Sequence, residues 1–229
     1  MRHFFGRICL AFGLLLWSHS SIASALTDSL ARVAPSLDTR VLQQAVSAMQ
    51  CAVRNGASPA ARLAVVDYSR PSSEPRLWIF DLNERRLLLE EFVAHGSKSG
   101  ENLAERFSNI LGSHQTSLGL FRTAESYQGR HGYSLRMDGM EPGVNDRARE
   151  RAIVIHGADY VDPDWIPRQG RIGRSQGCPA VRRGIAETVV DNLKDGQFLF
   201  SWYPDPHWLE TSVFLNCDAQ RVASLVRGS

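Results

Sequence analysis

Ser175-Gln176-Gly177-Cys178-Pro179-Ala180-Val181 is a tight, glycine-containing turn around a lone cysteine, and upstream of it Ala152-Ile153-Val154-Ile155-His156 is an apolar run ending in histidine. A cysteine attacks as its thiolate, so a catalytic one needs partial exposure and a neighbour able to take its proton. His156 supplies that base, and Gly177 relieves crowding in the turn and leaves a backbone N–H for an oxyanion. Pro179 fixes the backbone after the nucleophile. Taken alone, the pair is also what a hydrogen-bonded structural histidine and a buried thiol would look like.

The N-terminus has the pattern of an export signal over residues 1–25. Arg2 and Arg7 make a basic start, Ile8 to Trp17 is almost wholly apolar, and Ala23-Ser24-Ala25 is a small-residue cleavage signature. The apolar run is too short to span a bilayer comfortably, so the mature chain is expected to begin near Leu26 without a transmembrane segment. The expected destination is the periplasm or the outside of the cell, with peripheral association to the envelope. Removing that segment takes away two arginines and no acid, leaving 24 basic against 24 acidic side chains. Such a balance argues against a nucleic-acid partner.

Three cysteines then remain, Cys51, Cys178 and Cys217. An odd number in an oxidising compartment leaves one thiol over or forms an intermolecular bond. The economical arrangement pairs Cys51 with Cys217 and keeps Cys178 reduced; three buried thiols are the alternative.

The chain divides into residues 26–60, a helical extension, and residues 61–229, a catalytic domain with a C-terminal tail. Val41, Leu42, Ala45, Val46 and Met49 recur at helical spacing between Asp38 and Asn55, with Gly56 as terminator. Arg62 to Tyr68 reads as a strand, and Arg76 to Leu82 with Arg86 to Ala94 as a hairpin about Asn83-Glu84. Gly96 to Ser113 reads as an ordered surface loop. Ser117 to Thr123, Tyr133 to Met137 and Gln197 to Trp202 read as strands. Tyr127 to Gly132 has turn character, His156 to Cys178 reads as loop, and Gly184 to Leu193 as a helix. Short strands between turn signals, with two convincing helices, predict a mainly β (β-rich α+β) domain. No phosphate-binding glycine loop is present, and no cofactor is expected.

His95-Gly96-Ser97, Phe107-Ser108-Asn109, Ser117-Leu118-Gly119, Ile153 to Gly157 and Gly173 to Val181 together resemble the murein L,D-transpeptidase catalytic domain family (YkuD-like), in particular the branch whose nucleophile turn reads Ser-x-Gly-Cys-Pro. The resemblance runs from about Leu63 to Trp202. It implies a β-sandwich or barrel with peripheral helices, with Cys178 as nucleophile and His156 as base. The Gly157 carbonyl would orient the imidazole, as an Asp side chain does elsewhere. The implied substrates are peptidoglycan stem peptides, acylating Cys178 as a thioester. An amine acceptor gives transpeptidation; water gives L,D-carboxypeptidase activity. A non-catalytic peptidoglycan-binding protein on the same scaffold is the third reading. Where the common form of the family has a histidine before the glycine of the turn, this chain has Gln176, and its loop from His156 to Ser175 is long.

Around this pair, Arg174 is a candidate for holding a substrate carboxylate, and Ser175, Gln176 and Tyr133 are candidates for the rim. Asn145 and Asp146 read first as turn residues. His95, His114 and His156 raise a zinc site as the enzymatic rival, but no short-spaced ligand pair accompanies them, and no metal is expected. Trp202 and Trp208 read as packing residues, with Trp165 the most exposed of the tryptophans.

Overall fold

The computed structural model describes residues 19–217, with side chains from Ser24 onward. Most of the expected export segment, residues 1–18, and the tail after Cys217 lie outside the described residues. In chain order the elements are α1 (His19–Val33), α2 (Thr39–Arg54), β1 (Arg62–Asp67), β2 (Leu77–Asp81), β3 (Arg86–Glu91), β4 (Gly119–Gly129), β5 (Gly132–Gly139), β6 (Val154–Ala158), α3 (Ile166–Gln169), β7 (Ala180–Arg182), α4 (Ala186–Leu193), β8 (Phe198–Trp202) and α5 (Pro206–Thr211).

The eight strands form one mixed sheet in the order β3-β2-β1-β8-β4-β5-β6-β7. Strand β1 is buried on both faces because period-2 alternation sends its side chains to two different cores. Leu63 and Val65 join Trp78, Phe80, Leu120, Phe198 and Phe200 beneath α1 and α2. Ala64 and Val66 join Ile79, Phe121, Leu135, Ile155 and Leu199 beneath α4. The amphipathic stripe of α2 is the predicted one, with Val41, Leu42, Ala45, Val46 and Met49 all buried. Asp38 caps its start by accepting from Arg40 N at 2.7 Å. The sheet curls until its edges meet: Ala94, just after β3, donates to Ala180 O of β7 at 2.8 Å. This seam nearly closes a barrel with peripheral helices, as expected from the sequence, and no described helix is long and apolar enough to cross a membrane.

Three local readings are corrected. The turn expected over Tyr127 to Gly132 is narrower, because β4 runs on to Gly129 and pairs there with Gly132. The stretch read as loop between His156 and Cys178 holds α3, started by Pro167 in its first turn and ended by Gly170 at φ 75°. Helix α5, which the sequence reading omitted, is capped by Asp205 accepting from Trp208 N at 2.8 Å. The structure joins Cys51 of α2 to Cys217 by a disulfide, with Cα atoms 5.9 Å apart, and leaves Cys178 as a thiol.

Beneath the seam lies a buried cation with no carboxylate in contact among the described residues. Arg76 is fully buried and donates to Val93 O, Arg70 O and His95 Nδ1, the last at 2.7 Å. The other ring nitrogen of His95 therefore carries the proton and donates to Gly100 O at 3.3 Å. Burial, and then the adjacent guanidinium, push the His95 pKa down to about 3. A histidine depressed in this way stabilises the fold above its unfolded pKa of about 6.5, and that stability is lost as pH falls toward 3. The expected contribution lost by pH 5 is about 2 kcal/mol. Urea denaturation at pH 7 and pH 5 checks this: in His95→Gln the difference in unfolding free energy between the two pH values shrinks by that amount.

Candidate active site

Parallel pairing of β6 with β7 sets Ala180 opposite His156, so Cys178 stands one strand repeat before the partner of the histidine. The turn holding Cys178 needs glycine at Gly177 on two grounds. Its φ is 119°, and a Cβ there would sit 2.8 Å from Gln115 O. Ser175 stitches the turn shut: its Oγ accepts from Gly177 N at 3.0 Å and donates to Cys178 O at 2.6 Å. The turn is also bolted across the seam, with Ser175 N donating to His95 O at 2.9 Å and Ser97 N to Ser175 O at 2.7 Å.

These bonds revise two expectations. The Gly177 N–H is spent inside the turn and does not face the cleft as an oxyanion donor. Ser175, 5% exposed, shapes the turn rather than serving as a rim donor.

Cys178, His156, Gln176, Arg174 and His114 line one open cleft of about 720 Å³, a size suited to a small ligand or a short peptide. Cys178 is half-buried, and its thiol donates to Ala152 O at 3.7 Å rather than to the imidazole. Burial raises the thiol's pKa, opposed by a hydrogen bond from Val154 and the positive charges of Arg151 and Arg130. His156 is buried at the centre of β6, and its Nδ1–H donates to Gly157 O at 3.0 Å. The proton on Nδ1 leaves the Nε2 lone pair available as a base. Burial lowers the pKa of His156, and the Gly157 carbonyl opposes that shift. Gly157 admits no side chain, since a Cβ would lie 2.8 Å from Ala186 Cβ.

Not every candidate reaches the cleft in a usable form. Arg174 lines the cleft, and its Nη1 is held by Glu101 Oε1 at 2.8 Å and by the carbonyls of Ser97 and Gly100, so that nitrogen braces the 97–101 loop. Tyr133 lies outside the cleft lining and donates its hydroxyl to Asp191 of α4 at 3.0 Å. Asn145 and Asp146 do turn work: Asn145 bonds Glu141 N and the carbonyls of Leu118 and Leu120, and Asp146 accepts from Gly143 N. The zinc triad does not assemble, because both ring nitrogens of His95 are engaged in the core. Trp202 and Trp208 are buried, while Trp165 is 41% exposed.

Sequence reasoning missed Tyr127, Arg130, His131, Arg151 and Tyr160, which also line the cleft. For Arg130 and His131 a signal existed, the short run between Gly129 and Gly132, whose tip must stand proud of the sheet.

Residues 33–202 match the family described as L,D-transpeptidase catalytic domain. The chain belongs to this family. The matched span takes in α2 as well as the whole sheet. Among solved structures the chain is similar to an L,D-transpeptidase from Mycobacterium smegmatis, at 14% identity and a TM-score of 0.38, covering 63% of this chain and 59% of that one. It is also similar to an L,D-transpeptidase from Stackebrandtia nassauensis, at 11% identity and a TM-score of 0.37, covering 80% and 78%. A third, residues 123-326 of the L,D-transpeptidase from Xylanimonas cellulosilytica, has 13% identity and a TM-score of 0.37, covering 79% and 93%. No curated protein matches the chain.

Proposed function

We propose that this chain is an exported cysteine acyltransferase that performs L,D-transpeptidation on peptidoglycan stem peptides. The observation carrying the reading is the pairing, in one cleft, of the thiol Cys178 with a His156 whose tautomer is locked by Gly157. Membership of the family supports the substrate class. A disulfide between Cys51 and Cys217 is in keeping with an oxidising compartment.

In the acylation step Cys178 Sγ attacks the carbonyl carbon of a stem-peptide amide. The S–C bond forms, the C–N bond breaks, and His156 Nε2 takes the thiol proton and hands it to the departing D-amino acid. An amine of a second stem then attacks the thioester and gives up its proton through His156, which returns Cys178 to the thiol. Burial raises the thiol's pKa and lowers that of the imidazole, which favours the neutral form of both and fits activation by proton transfer during attack.

The test is product analysis by mass spectrometry after incubation of the purified protein with tetrapeptide muropeptides. The expected result is release of the terminal D-amino acid together with a new stem-to-stem amide. Release without crosslinking would replace transpeptidation with L,D-carboxypeptidation, and binding without any release would overturn the enzymatic reading.

A further inference from the structure

The β4–β5 hairpin ends in a tip with no part in the chemistry described so far. His131 at that tip lies on the ring of His156, with centroids 4.4 Å apart and planes 25° from parallel. Arg130 Nε donates to His131 Nε2 at 2.9 Å, which fixes the remaining proton of a neutral His131 on Nδ1. The strand register accounts for the approach, because Ser134 of β5 stands opposite His156. We propose that the Arg130–His131 tip is a positioning element, which holds the ring of His156 in its plane and shields one face from water.

The proposal rests on the reading of His156 as the base for Cys178. Two restraints define the ring: the Gly157 carbonyl grips its Nδ1 edge, and His131 covers its face. A covered imidazole protonates less readily, because its charged form loses hydration. The surrounding charges act in the same direction. Arg130 and His131 face it from the hairpin and Arg183 from the turn before α4, while Arg151 and Cys178 share the cleft. Arg183 is paired with Asp159, and among the described residues no carboxylate lines the cleft. Protonation of His131 at Nε2 would also end its bond from Arg130 and set two cations together. The tip therefore keeps the base available on the acid side of neutrality, where a water-facing histidine of pKa about 6.5 would already be charged.

The experiment is the pH dependence of Cys178 alkylation by iodoacetamide in the full chain, which needs no peptidoglycan. Titration of the His156 Cε1–H resonance by NMR gives the same midpoint without any reaction and reports on folding. Wild type is expected to show a His156-dependent limb with a midpoint below about 6.5. His131→Ala should raise that midpoint by about half a unit to one unit, and His131→Phe, a flat ring of similar cover, should return most of the shift. Arg130→Gln should raise it by less, with an effect that fades in high salt. A midpoint unmoved in His131→Ala overturns the proposal, as does a His131→Phe value equal to that of His131→Ala. A wild-type profile with no limb that His156→Ala removes overturns the base assignment itself. A limb present but indifferent to His131 overturns this inference alone.

Discussion

Cys178→Ala is expected to abolish acyl-enzyme formation and turnover while the protein stays folded. The thiol supplies the attacking atom of the acylation step, without which no thioester forms, and alanine at this half-buried position removes one sulfur and a weak hydrogen bond to Ala152 O. Loss of a nucleophile leaves only positioning and electrostatic assistance to water, so the rate should fall by on the order of 10⁴ or more. Intact-mass analysis after exposure to a carbapenem or a tetrapeptide stem reads the result directly. Wild type should gain one adduct and Cys178→Ala none, with circular dichroism of the two superimposable. An adduct that persists in the variant, or activity lost only through unfolding, would remove Cys178 from its role.

The second large effect concerns stability. The Cys51–Cys217 disulfide closes a loop with a sequence separation of 166, tying α2 to the segment after α5 across nearly all of the described chain. Loop-closure entropy for such a span has an upper value of about 5 kcal/mol, with native disulfides of small exported domains typically contributing about 2–5 kcal/mol. Cys51→Ala/Cys217→Ala should therefore lower the unfolding free energy in urea by that range. Cys178 lies in a cleft lined by β6, the turn before β7 and the β4–β5 hairpin and by no residue of α2 or α5, so its alkylation rate at neutral pH should be unchanged. An unchanged urea midpoint would show that the tail is held by packing alone. A slowed alkylation would show that the tail reaches the site.

Much of the fold was legible because local periodicity and tertiary burial agree. The α2 stripe, the β2–β3 hairpin and the buried β8 follow from spacing that a helix or strand converts into one face. Some misreadings arise where the deciding partner is distant, others where a local contact has no sequence signature. The ion pair that holds Nη1 of Arg174 was not legible, because Glu101 is 73 residues away in sequence. Gly177 looked like an oxyanion donor although the partner that takes its N–H is local, the hydroxyl of Ser175 two residues before it. Polar residues Tyr127 and Gln128 read as turn, although they extend a two-stranded ribbon whose tip reaches the site. Prolines at 163 and 167 read as breakers, yet each sits in the first turn of a short helical segment, where a missing N–H costs nothing. The glycines at 129 and 132 mark a hairpin tip at His131, but its place on His156 is a product of strand register that nothing local reveals.

The seam that closes the sheet makes the nucleophile turn a joint property of two distant segments. A Cβ built on Gly96 would come within 3.0 Å of Gly177 Cα and 2.3 Å of His114 O, and the backbones of 94–97 and 175–180 are laced by hydrogen bonds. Residues 173–181 therefore do not form a portable cassette. Transplanted alone into another scaffold, they would carry the cysteine without its socket, and a natural variant that reshapes one side of the seam must reshape the other with it.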